Sequence, residues 1–203
     1  MIPDEDSRRH RPITDNDTDT TPEESMSART ETTRTAPARP ALDAPAARVF
    51  IALTRIALGF VYLWAFVDKL FGFGVATPPE GSVLAGQSPS AGYLSHTEGA
   101  LSGMFQALAG NPIVDVLFML GLGAVGAAFI SGIGLRLAAL GGTFVMGGIY
   151  LSMLPLSNNP VVDEHLLYVL LGWTLAAIGA GSALGLGGWW QSLSWVRGRR
   201  WLY

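Results

Sequence analysis

Residues 112–154 read PIVDVLFMLGLGAVGAAFISGIGLRLAALGGTFVMGGIYLSML, and this stretch decides the fold. It holds two apolar segments, residues 112–133 and 135–154, joined by a tight glycine-containing connection. Each matches the roughly 20 residues that an α-helix needs to cross the hydrocarbon core of a bilayer. Asn111 suits a helix cap, the proline after it suits the first helical position, and Pro155 ends the second segment. We therefore expect two neighbouring membrane-spanning helices.

Apolar segments of similar length lie on either side, at residues 49–71 and 161–184. The predicted fold is therefore an all-α integral membrane protein, a bundle of four transmembrane helices within residues 48–187. Small residues recur four apart on two of the segments, a spacing that lets helix backbones approach closely. That signal fits packing within one chain and packing in a homo-oligomer equally well.

The long connection between the first two segments, residues 74–110, contains a helix signal of its own. Ser95 and Glu98 have the spacing of a capping box. The apolar residues that follow, Leu101, Met104, Phe105 and Leu108, share one helical face. We expect a short amphipathic helix on the membrane surface or over the bundle. The alternative is a loop that tucks its apolar residues inward.

The two ends of the chain differ from the apolar region. Residues 1–47 are rich in charged residues, threonine and proline and hold 10 of the 16 acidic residues, so they are predicted to be a disordered tail. Residues 188–203 combine tryptophan and arginine, which favour the membrane interface on the cytoplasmic side. This segment is interpreted as an interfacial anchor, with a lipid-binding site as the alternative.

Lysine and arginine are distributed unequally between the two sides of the predicted bundle. Residues 73–113 and 155–162 contain neither, whereas Arg48, Arg136 and the arginines near the C-terminus lie at the opposite ends of the segments. Because basic residues favour cytoplasmic loops, the pattern predicts a multi-pass protein with both termini in the cytoplasm. The remaining polar residues then gather on the outer face, where we expect any chemistry to occur.

Composition excludes several kinds of site. The chain has no cysteine, which rules out disulfides, covalent haem attachment and cysteine-ligated iron–sulfur clusters. A haem held by two histidines is not expected, because the only histidine outside the tail besides His165 is His96 in a loop. No metal site is predicted, since Asp163 and Glu164 are adjacent in a helix and point in different directions. No basic stripe indicates nucleic-acid binding.

The outer end of the first segment carries Asp68 and Lys69. Lys69 is the only lysine in the chain. A cation at a helix C-terminus is favoured by the helix dipole, and that alone explains its position. The functional alternative is that Lys69, beside Asp68 and far from other basic residues, holds an anion.

The start of the last segment carries Asn159, Asp163 and His165. Capping explains Asn159 and, in part, Asp163. It does not explain His165, the only histidine in a predicted span, which can exchange protons near neutral pH. We regard His165, Asp163 and Lys69 as candidate catalytic residues, with a purely interfacial His165 as the alternative.

Arg55 lies about two turns inside the first segment. A buried arginine in a membrane costs about 2.5–3.5 kcal/mol on insertion scales unless it finds a partner or reaches the headgroups. Snorkelling is one explanation. The other is an interior arginine that holds an anionic group, a quinone oxygen or a helix-end carbonyl. Arg55, Asp68 and Asn159 are thus candidate ligands for a quinone or an anion.

Residues 48–190 resemble the DoxX/DoxD family of small four-helix membrane proteins. The resemblance is carried by three stretches: Arg55-x-x-x-Gly59 leading to Asp68-Lys69-Leu70, Asn159-Pro160-x-x-Asp163-x-His165, and Gly185-Leu186-Gly187-Gly188-Trp189-Trp190. DoxD-like members form part of a thiosulfate:quinone oxidoreductase, and other members are membrane partners of soluble redox enzymes. The resemblance implies a bacterial plasma-membrane protein with a non-covalently bound quinone and a second redox subunit.

Two functions follow from the residues and the resemblance together. The first is a redox membrane subunit that passes electrons to quinone from an outer-face site and oxidises a small sulfur anion. The surplus of carboxylates on that face would repel a dianion such as thiosulfate. The alternative is a non-catalytic anchor that recruits soluble redox enzymes through the long polar tail.

Overall fold

The computed structural model describes residue 42, residues 44–157 and residues 159–203. Within these ranges the chain forms seven α-helices and no β-strand: α1 Pro45–Phe71, α2 Ala91–Leu94, α3 Ser102–Gln106, α4 Pro112–Ser131, α5 Leu135–Ser152, α6 Glu164–Ala177 and α7 Gly187–Ser192. The predicted disorder of residues 1–47 falls almost entirely outside the described residues. Only its last residues are described, and α1 already begins there.

Local sequence signals set the ends of the long helices. In α4, the side chain of Asn111 accepts a hydrogen bond from the amide of Ile113, and a proline occupies the first turn, as predicted. Gly72 and Gly132 end α1 and α4 in the left-handed conformation, which glycine adopts without steric cost. Gly134, also left-handed, then starts α5. Helices α4 and α5 are therefore antiparallel neighbours.

Helices α1 and α4 approach closely because glycines face each other at their crossing. A Cβ added at Gly126 would lie 2.6 Å from the backbone nitrogen of Leu63, and one added at Gly59 would lie 2.9 Å from the carbonyl oxygen of Gly126. Neither position has room for a side chain. Small residues thus allow backbone contact within this chain. Neither glycine belongs to the rows of small residues spaced four apart, so the partner of those rows stays a prediction.

The core lies between the four longest helices, because α4 packs against α1 and α5, and α5 packs against α6. Its centre includes Leu58 and Tyr62 of α1, Leu122 and Phe129 of α4, and Leu175 of α6, all at most 3% exposed. Large apolar side chains also cover the outside of these helices; Phe144 is 75% exposed and Ile113 is 70% exposed. An apolar exterior of this kind is typical of a helical bundle surrounded by lipid.

Three of the helices, α1, α4 and α5, are long and apolar enough to cross a membrane. The fourth apolar helix, α6, has 14 residues, a length of about 21 Å against a hydrocarbon core of about 30 Å. Helix α6 begins after residue 161, the expected start, because the Asp163 side chain caps it. The Asn159 side chain instead accepts hydrogen bonds from the amides of Val161 and Val162 in a preceding turn. The helix ends earlier because Gly179 is left-handed and a 3₁₀ turn, Ala180–Ser182, follows.

The connection between α1 and α4 differs from the prediction. Instead of one amphipathic helix introduced by a capping box, it contains the short helices α2 and α3. The Ser95 hydroxyl, just after α2, donates back to the carbonyl of Ala91, the first residue of that helix, so it caps no following helix. Gly99, with a φ of +104°, then breaks the helical path. Of the predicted apolar face, Phe105 is buried while Met104 remains 53% exposed.

The C-terminal segment folds back onto the bundle. After α7, the indole nitrogen of Trp190 donates to the carbonyl of Leu202, and Val196 and Leu202 are buried. Trp189, Trp195 and Trp201 remain more than half exposed. Exposed tryptophans beside the arginines of this segment fit the interfacial anchor expected from the sequence, which stays a prediction.

Candidate functional site

The bundle has two chemically different ends. One end, which we call the cavity end, is formed by the C-terminal ends of α1 and α5 and the N-terminal ends of α4 and α6. The long connection between α1 and α4 also lies there. Ser88 donates to the Asp115 carboxylate there, and Tyr93 bonds to Ser152, so the connection is tied to α4 and α5. The opposite end, where Arg55 meets the C-terminal end of α4, is called the arginine end.

A cavity of about 450 Å³ opens at the cavity end. Its volume falls in the range of small-molecule sites, about 300–1,000 Å³. Most of its lining is apolar and comes from the connection and from α4 and α5: Leu94, Phe105, Leu108, Val114, Leu117, Phe118, Phe144, Val145 and Ile149. Five polar side chains share the lining: Lys69, Ser90, Tyr93, Ser152 and His165. A largely apolar cavity with a few polar groups is the usual form of a ligand site.

His165 is held in position by Asp163. The imidazole Nδ1 lies 2.7 Å from the Asp163 Oδ2, and the other carboxylate oxygen, Oδ1, accepts from the amide of Leu166 at 2.9 Å. Because an ionised carboxylate only accepts, Nδ1 carries the proton in this pair. The arrangement fixes the ring orientation and leaves Nε2 as the nitrogen that can exchange a proton with a ligand.

The same contacts set the protonation state of Asp163. Burial acts to raise the pKa of its carboxyl group, but the hydrogen bonds from the Leu166 amide and from His165 outweigh burial, and the pKa lies below its usual value. Asp163 is therefore ionised at neutral pH.

Lys69 reaches the same cavity from α1 and is partly buried. Among residues 44–157 and 159–203 the only ion pair within 4.0 Å joins His165 and Asp163, so Lys69 has no carboxylate partner there. The neighbouring Asp68 is 1% exposed; its Oδ2 accepts from the amide of Ala76 at 3.1 Å, and its Oδ1 has no hydrogen-bond partner. The ammonium group of Lys69 is thus able to bind an anionic or oxygen-containing ligand.

Arg55 is absent from the cavity and lies at the arginine end. It is completely buried, and its guanidinium donates to the carbonyls of Phe129 and Ile130 at the end of α4 and of Ala183 and Leu184 after α6. Of the explanations considered for this residue, the helix-end carbonyl agrees with these contacts. Its donors on both terminal nitrogens are therefore already used by the protein.

Asp68 and Asn159, the other candidate ligands, do not line the cavity either. The exposed Asn159 accepts from the amides of Val161 and Val162, each at 2.9 Å, and so stabilises a local turn. The neighbouring Asn158 lies outside the described residues. The structure thus brings together two of the candidate residues, Lys69 and His165, with Asp163 behind His165.

Asp163, Glu164 and His165 offer ligand atoms within 4.8 Å of one another, a spacing that a metal ion could use. Both carboxylate oxygens of Asp163 are engaged, one by Leu166 and one by His165. Glu164 is exposed. The three residues are sequence neighbours around a helix N-terminus, where acidic side chains are favoured without any metal.

Three polar residues of the cavity were not predicted from the sequence: Ser90, Tyr93 and Ser152. Ser90 is 5% exposed, and its hydroxyl has no hydrogen-bond partner within residues 44–157 and 159–203. The Tyr93 hydroxyl lies 2.7 Å from the Ser152 hydroxyl, which donates to the carbonyl of Ile149, so Tyr93 donates to Ser152. No pattern in the sequence connects these positions, because the tyrosine and its partner serine are 59 residues apart.

Comparisons with protein-family models, with curated proteins and with solved structures returned no match to this chain.

Proposed function

We propose that this chain is a four-span redox subunit of a bacterial plasma membrane, of DoxX/DoxD type, and that its cavity binds quinone beside His165. The observation that carries the proposal is the convergence of Lys69 and of the His165–Asp163 pair on one apolar cavity. A quinone ring needs an apolar site with hydrogen-bond donors for its oxygens and a proton source. The cavity offers all three.

The fourth span is part of the proposal. Residue 165 lies at the cavity end, whereas the carbonyls of Ala183 and Leu184 accept from Arg55 at the arginine end. The segment between them therefore connects the cavity end with the residues that contact Arg55, which supports a fourth crossing, although α6 accounts for only its first part. The arginines near the arginine end and at the C-terminus support a cytoplasmic position for that end and for both termini.

The proposed reaction balances as follows. Two thiosulfate ions join through a new S–S bond to give tetrathionate and release two electrons. Reduction of one quinone to quinol takes up those two electrons and two protons. His165 would deliver protons through Nε2, with Asp163 holding the ring in place through Nδ1. Lys69 would hold a quinone oxygen, and the apolar walls would exclude water from the ring.

Thiosulfate is proposed to react outside this cavity. The cavity walls are apolar, and Asp115, Asp163 and Glu164 surround the same end of the bundle. A dianion would be repelled by these charges and poorly solvated among those walls. A second redox subunit at the outer surface would supply the electrons.

The test is thiosulfate-dependent reduction of a ubiquinone or menaquinone analogue by the purified protein in lipid nanodiscs, with membrane extract added as the source of the second redox subunit. We expect His165→Ala to lower the rate by about 100-fold or more, the usual contribution of a positioned acid–base group. Lys69→Ala should raise the KM for the quinone. His96→Ala is the matched control, because His96 is exposed and its ring, among the described residues, contacts the Ser95 hydroxyl and the Gly92 carbonyl away from the cavity.

Rates that are unchanged in both cavity variants would contradict the proposal. A well-folded wild-type protein without turnover, also when mixed with membrane extract, would favour the alternative of a membrane anchor. In that case, deletion of residues 1–45 followed by a pull-down from membranes would show whether the tail recruits soluble redox enzymes.

A further inference from the structure

The cavity is open on one side, toward the apolar exterior of the bundle. Leu117 of α4 and Phe144 of α5 both line it, yet they are 63% and 75% exposed. About one turn nearer the arginine end, the same two helices carry further exposed apolar residues, Leu120 and Leu140. The opening therefore lies on a surface that would contact hydrocarbon in a membrane.

Gly148 widens the space just inside this opening. It lines the cavity one turn beyond Phe144, and a Cβ added to it would meet no atom within 4 Å. At the adjacent Gly147, which does not line the cavity, an added Cβ would touch the Thr143 side chain at an ordinary 3.9 Å. The absence of a side chain at residue 148 leaves a path from the opening to the interior of the cavity.

The cavity offers an unused hydrogen-bond donor. Lys69 lines it and forms no ion pair with any carboxylate in the described part of the chain. An ammonium group has three donors and no acceptor, so its matching ligand is one that accepts hydrogen bonds. Such a ligand carries an oxygen acceptor on its head.

We infer that the cavity binds a membrane-dissolved amphiphile, with its oxygen-bearing head at Lys69 and its apolar tail leaving between Leu117 and Phe144. The inference rests on the proposed function for the choice of a quinone as the head. It goes further in assigning the direction of the tail and access from the bilayer. A water-soluble substrate would have no use for an opening on the apolar side.

The single lysine of the chain allows a binding test that needs no turnover. The full-length protein in phosphatidylcholine nanodiscs is treated with a small amine-acylating reagent, and mass spectrometry compares acylation of Lys69 with that of the N-terminal amine. The ligand used is a fully substituted benzoquinone with a decyl tail. At ten times its Kd it should slow Lys69 acylation about tenfold, because occupancy protects by mass action.

Two glycine variants show whether the protection comes from this cavity. Gly148→Leu would fill the space without a backbone clash, and we expect it to remove the protection. Gly147→Leu makes the same change on the neighbouring face of α5 and should leave the protection intact. Equal loss of protection in both variants, or protection that persists in Gly148→Leu, would overturn the inference.

The direction of the tail is tested by photolabelling with the same quinone carrying a diazirine in its tail. We expect tandem mass spectrometry to find the label around Leu117 and Phe144. Labelling confined to residues 89–108, or no specific labelling of the folded protein, would overturn the inference. Protection and labelling without any quinone reduction would instead contradict the proposed redox function and leave this inference standing.

Discussion

Arg55 is the residue whose environment is most completely determined by the fold. Its two terminal nitrogens donate to four backbone carbonyls, two from the end of α4 and two from the segment after α6. Carbonyls at a helix C-terminus carry partial negative charge and lack partners within the helix. The planar guanidinium satisfies two such sets at once, so Arg55 is a structural residue that joins three segments.

Arg55→Lys should destabilise the protein strongly, because one ammonium group cannot reach both pairs of carbonyls. Hydrogen bonds to charged groups contribute about 1.5–3 kcal/mol each, so the loss of two predicts a decrease in unfolding free energy of roughly 3 kcal/mol. Reversible unfolding in mixed detergent micelles measures it. Arg48→Lys, on the same helix and exposed, is the control. Equal stability of the two variants would contradict the structural role.

The sequence predicted those parts of the site whose residues are close together in the chain. His165 and Asp163 are two residues apart around a helix start, and their spacing already indicates an interaction. Lys69 is identifiable because it is the only lysine. The roles of Ser90 and Tyr93 were not predictable, since they depend on how residues 74–110 fold over α4 and α5. Arg55 was identified from the sequence, but its partners were not, because several kinds of partner fit a buried arginine equally well.

At the scale of elements, the crossing of α1 and α4 depends on glycine more than on any large core residue. At Gly126 a side chain would meet the backbone of Leu63, which cannot rotate away. We expect Gly126→Leu to lower the unfolding free energy by about 3 kcal/mol, the upper end of overpacking costs.

The same unfolding measurement with Gly148→Leu is the control for this prediction. That glycine is also helical, and its Cβ would enter open space, so the better helix propensity of leucine should leave stability unchanged or raise it by up to about 1 kcal/mol. A Gly126→Leu protein as stable as the Gly148→Leu protein would show that the two helices tolerate wider separation.

Helix ends were predicted well where a single residue decides them. Asn111 and the following proline fix the start of α4, and left-handed Gly132 fixes its end within two residues of the expected position. The start of α6 was wrong because two cap residues compete, and Asp163 starts the helix while Asn159 makes a turn. The capping box at Ser95 was wrong because its hydroxyl bonds backward to Ala91.

For the whole molecule, the proposed topology places the cavity end outside and both termini inside. The chain lacks cysteine, so single cysteines report accessibility without any background. We chose Glu98→Cys and Ser194→Cys because both residues are exposed and lie in the long connection and the C-terminal segment. An impermeant maleimide added to intact spheroplasts should label the first variant at once and the second only after lysis. The reverse pattern would contradict the orientation.

The sequence predicted the apolar, all-helical character of the chain because that property needs only segment length and composition. Three helices of membrane length confirm this coarse description. The number of crossings was harder to predict, because residues 178–186 extend the last segment with turns rather than helix. The cavity could not be predicted, since it arises from the way a loop covers the end of the bundle.

The contacts of Arg55 also have a consequence for the order of biosynthesis. Arg55 is synthesised with the first helix, but the residues whose carbonyls it contacts are synthesised 74 to 129 residues later. Until then the arginine has nothing in the hydrocarbon to bond with, which disfavours complete insertion of α1 on its own. The first helix therefore reaches its final depth late, and a nascent chain that stops before Ala183 leaves it without half of its partners. We therefore expect insertion of the first helix to be completed only after the residues that follow α6 have been synthesised.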